Sequence, residues 1–179
     1  MPATAVELLE DREIRYGSYP WARLQIGDIA GIDTTVLDNL LDDNLVPIVS
    51  PLSAADDGTI LNINADTVAA AIAAELEAEK LILATGAPGI METLDDPRSL
   101  ISYVDRGGLQ KLRQEGRLTD GMLPKVAAIE QALTKGVPRV HVISYAMPDS
   151  LLLEVFTNEG TGTLVVADIK ELSPAEQSG

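Results

Sequence analysis

The chain has 179 residues, with 28 Asp and Glu against 13 Lys and Arg, one His and no Cys, for a formal net charge of −15. A composition that is 46% hydrophobic and 23% charged is that of a globular protein able to bury a core of ordinary size. The acid excess argues against nucleic acid and anionic membrane surfaces, the missing cysteines exclude disulfide and thiolate chemistry, and a single His leaves no zinc cage or His-based triad.

The lack of Cys also points to a reducing compartment, so the expected location is the cytoplasm. No apolar run approaches the ~18 residues of a membrane span. The acidic opening, Met1 to Glu13, is unlike a basic signal peptide.

In chain order, residues 3–11 read as a short apolar-acidic helix. Residues 12–32 alternate apolar runs with Gly, Ser and Pro and read as hairpins. Three of the aromatics, Tyr16, Tyr19 and Trp21, sit in that segment, as a packed loop or a subunit contact. Val36, Leu37, Leu40 and Leu41 recur at helical spacing, and the run from Val46 to Leu52 reads as a buried strand closed by Pro51. A polar turn, residues 54–59, leads to the alternating stretch 60–66. The spacing of Val68, Ile72 and Leu76 among alanines predicts a helix from Thr67 to Ala78, and Lys80 to Thr85 predicts a strand.

The polar region 92–119 holds one expected helix, near 107–115. Val126, Ile129 and Leu133 mark another, stopped by Gly136 and Pro138. Val140 to Ser144 is an expected strand, Ser150 to Phe156 a short helix, Thr163 to Asp168 the last strand, and 172–179 a loose tail. Strands alternating with helices predict a parallel sheet covered on both faces.

Ligands of such sheets bind beyond the carboxyl ends of the strands, which directs attention to several segments. In Asn62-Ile-Asn-Ala-Asp66, an extended backbone would project Asn62, Asn64 and Asp66 from one face, as a clamp for a small polar substrate. The competing reading makes Asn64 a helix N-cap and Asp66 a partner of the helix dipole. In Thr119-Asp-Gly-Met-Leu-Pro-Lys125, Pro124 suits the first turn of a helix, whereas Lys125 opposes the dipole unless anions bind there. A solvated surface lysine is the alternative. The turn Ala84-Thr-Gly-Ala-Pro-Gly89 would let a nucleotide approach the backbone, or is simply a turn. Glu159-Gly-Thr-Gly-Thr163 has the same ambiguity. His141, inside an expected strand, reads as a core or edge residue rather than a catalyst.

Taken together and in order, Pro47-Ile-Val-Ser-Pro-Leu52, Asn62-Ile-Asn-Ala-Asp-Thr67, Glu79 to Thr85, Pro88-Gly89, Gly121-Met-Leu-Pro-Lys125, Val140 to Ser144 and Leu151 to Thr157 resemble the C-terminal part of N-acetyl-L-glutamate kinase. This family belongs to the amino-acid kinase superfamily, and the resemblance spans about residues 23–168. It implies an α/β three-layer sandwich with a mainly parallel central sheet and its N-terminal portion missing. The expected lobes are a partial acetylglutamate-binding lobe over 1–66 and a nucleotide-binding lobe over 67–170, with 171–179 as tail.

The implied reaction transfers the γ-phosphoryl of ATP to the side-chain carboxylate of N-acetyl-L-glutamate, as in arginine biosynthesis, with Mg²⁺ carried by the nucleotide. The resemblance assigns Asn62 to the acetylglutamate with Asn64 nearby, Lys125 to the charge on the transferring phosphoryl group, and Asp66 to organising that lysine. Thr85, Gly86, Ala87, Pro88, Gly89, Ile90 and Met91, with Leu118 and Thr119, would line the ATP pocket.

Two departures accompany it. The family's glycine-rich opening, with a second phosphate-binding lysine and a substrate-binding arginine, has no counterpart here, which implies a chain inactive by itself. Gly86 also stands where the family usually has Asp. The alternative is a non-catalytic amino-acid-kinase-like domain that binds arginine or nucleotide. Glu154 and Gly160-Thr-Gly162 resemble the effector segment of arginine-sensitive members, and a homodimer is the expected assembly.

Overall fold

The computed structural model describes residues 4–15, 23–55, 57–93, 96–157 and 160–171. Tyr16, Tyr19, Trp21 and the tail 172–179 lie outside them. Two compact units divide the chain, Met1–Leu76 and Glu77–Gly179, each with its own four-stranded sheet. No described helix is long and apolar enough to cross a membrane.

The first unit opens with β1 (Thr4–Arg15) and β2 (Arg23–Ile32), paired antiparallel with several register shifts. The helix expected at 3–11 is therefore a strand: cross-strand pairing overrides the local apolar-acidic pattern. Of the hairpins expected at 12–32, the structure contains the end of one long strand pair. Helix α1 (Thr35–Asp42) follows, with Asp33 Oδ1 accepting from the Thr35 N–H at 3.0 Å and its hydroxyl at 2.6 Å.

The run 46–52 is not a buried strand. Val46 is 87% and Ile48 98% exposed, and pairing begins only at β3 (Leu52–Ala54), antiparallel to β4 (Ile60–Asn62). Two prolines in this run, Pro47 and Pro51, lack the N–H donors a ladder needs. β4 lies parallel to β2, giving the order β1-β2-β4-β3. Helix α2 (Ala65–Glu75) packs on β2 and buries Val68, Ala70, Ala71 and Ala73, small side chains that permit close approach. It starts and stops earlier than its periodicity suggests, with Glu77 in a left-handed conformation (φ 50°) just beyond it.

The second unit contains β5 (Leu81–Thr85), β6 (Tyr103–Asp105), α3 (Arg106–Gln114), α4 (Leu123–Thr134), β7 (Arg139–Ser144), α5 (Ser150–Phe156) and β8 (Thr163–Val166). The strand order is β5-β7-β8-β6. β5 pairs with β7 and β6 with β8 in parallel, while β7 and β8 run antiparallel. The sheet is thus mixed and mostly parallel. Val140 to Ser144 and all of β8 are buried, so the two inner strands are covered on both faces, as near-continuous apolar runs require.

β6 is a three-residue edge strand within a region the sequence presents as polar with one helix. Gly136 (φ 102°) terminates α4, and the Val137 N–H returns to the Ala132 carbonyl at 3.1 Å.

Candidate functional site

Asn62, Asn64 and Asp66 belong to the first unit and do not form one extended face. β4 ends at Asn62, the chain turns, and α2 begins at Ala65. Asn64 is its N-cap: Oδ1 accepts from the Asp66 N–H at 2.9 Å and the Thr67 N–H at 3.2 Å. Two of the helix's unpaired donors are thereby satisfied, and Asp66 lies in the first turn, where a carboxylate complements the dipole. Asn62 and Asp66 are half-buried and Asn64 is exposed.

In the second unit, the turn following β5 and the start of α4 come together. Ala87, Gly89, Ile90 and Met91 line a shallow, half-open cavity with Arg117, Leu118, Thr119 and Met122. Six of these eight are residues that the family resemblance assigns to the ATP pocket; Arg117 belongs to no motif, and Met122 stands within Gly121-Met-Leu-Pro-Lys125 without an assigned role. Thr85 closes β5, Gly86 and Pro88 are exposed on the turn, and the cavity lining does not include these three.

Two side chains beyond that motif hold the turn in shape. Thr163, fully buried at the start of β8, accepts the Ile90 N–H on Oγ1 at 2.8 Å. Gly89 packs so tightly that a Cβ there would stand 2.7 Å from both Leu100 Cδ1 and Thr163 Oγ1. The Thr163 contact joins residues 73 apart, a separation no local pattern can signal.

Lys125 is not a solvated surface residue. It is 8% exposed, in the first turn of α4, with Nζ 3.5 Å from the Ala84 carbonyl oxygen near the end of β5. Pro124 occupies the first turn as its fixed φ allows. A buried lysine at a helix N-terminus works against the macrodipole, and bound anions relieve that conflict.

Farther along β7, His141 is buried and its Nδ1 lies 2.6 Å from Glu154 Oε1. The other Glu154 oxygen accepts the Thr161 N–H at 2.8 Å and its hydroxyl at 3.1 Å. Burial pushes the Glu154 carboxyl up, but the His141 and Thr161 hydrogen bonds outweigh it and hold the group below its ordinary value. Glu154 and the 160–162 loop are thus fastened together, and His141 is a core residue. Its Nε2 has no hydrogen-bond partner among the described residues.

A family model described as the amino acid kinase family matches residues 3–144. The acetylglutamate kinase of Myxococcus xanthus is 45% identical over 143 residues, covering 80% of this chain and 46% of that protein. That of Symbiobacterium thermophilum is 48% identical over 141 residues, covering 79% and 48% respectively. Among solved structures, N-acetylglutamate synthase from Neisseria gonorrhoeae, complexed with coenzyme A and L-arginine, superposes with a TM-score of 0.76 at 25% identity. It covers 92% of this chain and 36% of that one. The chain spans about half the length of the curated relatives it matches. With the mixed sheet, the flanking helices and the turn at the end of β5, these likenesses lead to one conclusion: the chain belongs to the amino acid kinase family.

Proposed function

We propose that this chain carries the nucleotide-handling and phosphoryl-transferring part of an acetylglutamate kinase, moving the γ-phosphoryl of ATP to the side-chain carboxylate of N-acetyl-L-glutamate. The observation that carries the reading is Lys125, a buried ammonium at a helix N-terminus, beside the strand end whose turn opens into an apolar cavity. The cavity suits a base, and the cation suits the far end of a polyphosphate. Phosphoryl transfer needs little covalent chemistry from a protein, so placed positive charge and orientation supply most of the rate.

In this reading Lys125 neutralises charge gathering on the transferring group, and Asp66 keeps the organising role that the family resemblance gives it. Asn62 holds the acetylglutamate. Asn64 contributes through its cap, which fixes the backbone between Asn62 and Asp66. Mg²⁺ would be held mainly by the nucleotide's own phosphates.

The test is acyl-phosphate formation trapped as hydroxamate, with ATP, Mg²⁺ and N-acetylglutamate. It is run on this chain alone and mixed with a polypeptide carrying the other half of a relative. Hydroxamate from either sample, lost by about 100-fold or more in Lys125→Ala, supports the reading. A folded chain that binds no ATP, or a mixture whose turnover ignores Lys125, refutes it.

A second reading is a non-catalytic domain that binds arginine or nucleotide. It draws on the 160–162 loop, which Glu154 ties to α5. Arginine or ATP binding with no hydroxamate from any mixture favours it.

A further inference from the structure

Three features follow one another from the end of β5 into the turn beyond it. Lys125 Nζ lies at the Ala84 carbonyl. At Gly86, a Cβ would stand 2.9 Å from the Tyr145 hydroxyl oxygen and 3.4 Å from the ring carbon that bears it. At Ala87 the cavity lining begins. Tyr145 is fixed in place by its backbone: its N–H donates to the Thr85 carbonyl at 2.9 Å, carrying the β5–β7 ladder one step past the Thr85–Ser144 pair. The residue is 73% exposed. The phenol therefore meets the bare backbone of Gly86 at its tip and leaves most of its surface open at the carboxyl end of two parallel strands, where ligands of such sheets bind.

We infer that Tyr145 is a nucleotide-binding residue, its ring and hydroxyl meeting the sugar–phosphate stem of a nucleoside triphosphate between Lys125 and the cavity. This deepens the kinase reading above and rests on it. A nucleotide laid along the turn, with its terminal phosphate toward Lys125 and its base toward the cavity, sets its ribose and inner phosphates against residue 86. A Cβ there would crowd the Tyr145 hydroxyl. Glycine leaves room for the phenol, so Gly86 and Tyr145 act as a pair. A neutral hydroxyl donates a hydrogen bond to sugar or phosphate oxygen without adding repulsion between a polyanion and a chain of net charge −15. The ring face offers an apolar surface to the ribose.

The experiment titrates the full chain with Mg·ATP and with adenosine by calorimetry, as wild type, Tyr145→Phe, Tyr145→Ala and Phe156→Ala. Phe156, 79% exposed on α5, is the control. Tyr145→Phe is expected to weaken ATP about five- to tenfold, the loss of one hydrogen bond, and Tyr145→Ala to weaken it further. Phe156→Ala and the thermal unfolding of ligand-free Tyr145→Phe should match wild type. A loss shared by adenosine supports the inference with the hydroxyl on the ribose; a loss confined to ATP supports it with the hydroxyl on phosphate. Wild-type affinity in both Tyr145 variants, beside a wild type that binds, overturns the inference and leaves the kinase reading standing. A folded wild type that binds no ATP overturns both.

Discussion

Replacing Thr163 by Val removes one oxygen and puts a methyl in its place, leaving the shape of a fully buried side chain nearly unchanged. The oxygen accepts the Ile90 N–H at 2.8 Å, and no other acceptor for that N–H stands among the described contacts. A buried donor stripped of its acceptor costs about 1–3 kcal/mol. The methyl offers the Ile90 N–H no acceptor in the oxygen's place. The penalty falls on the turn first, because Ile90 and Gly89 line the cavity. Hydrogen exchange at Ile90 should accelerate by about 5- to 150-fold, the ratio that corresponds to 1–3 kcal/mol, with a smaller change at Val140 and Val142 in the sheet interior. Thr163→Ser, which keeps the oxygen, should exchange at Ile90 close to wild type. Equal exchange at Ile90 in Thr163→Val and wild type would refute the reasoning, since the turn would then be held by something other than this hydrogen bond.

Asn64→Ala should lower stability by about 1 kcal/mol through loss of the α2 cap, read as a drop in the first unit's melting temperature. Asn64→Asp should restore it, and an unchanged melting temperature in Asn64→Ala would remove the cap from the account. Glu154 has its carboxyl held below the ordinary value of 4.5, so it contributes stability that is present above that value and is lost as pH falls through the lower folded one. Glu154→Gln should therefore flatten the acid limb of the wild type's stability curve below about pH 5. A wild-type curve and a Glu154→Gln curve that run parallel down to pH 3 would show that the carboxylate is not linked to folding.

Apart from β6, the second unit was legible because its elements are locally consistent. β5, β7 and β8 are continuous apolar runs, and α4 carries both its Pro start and its Gly stop. The first unit was less so. Val46, Ile48 and Val49 look like a buried strand, yet they are exposed, since hydropathy reports what a segment tends to bury and not whether a covering layer is present. The apolar-acidic stretch 3–11 reads as a helix, but β1 takes its conformation from β2. The asparagine motif illustrates the limit for the site: its spacing allowed a clamp or a cap, and only the break after Asn62 separates the two. Lys125 was singled out by a local conflict with the helix dipole. The contacts of Thr163 and Tyr145 with the turn become visible only once the strands are ordered.

The order β5-β7-β8-β6 has a consequence for how this unit is made. Its last described strand, Thr163–Val166, is an interior strand, inserted between β7 and β6. Until a ribosome has released those four residues, β6 has no neighbour in the sheet and the Ile90 N–H has no acceptor. Closure must await contacts distant in sequence, which are the slow ones. A nascent chain halted before Thr163 should thus carry every residue of the turn and still present an unformed site, and a nucleotide that binds only the finished turn would add its binding free energy to the final insertion step.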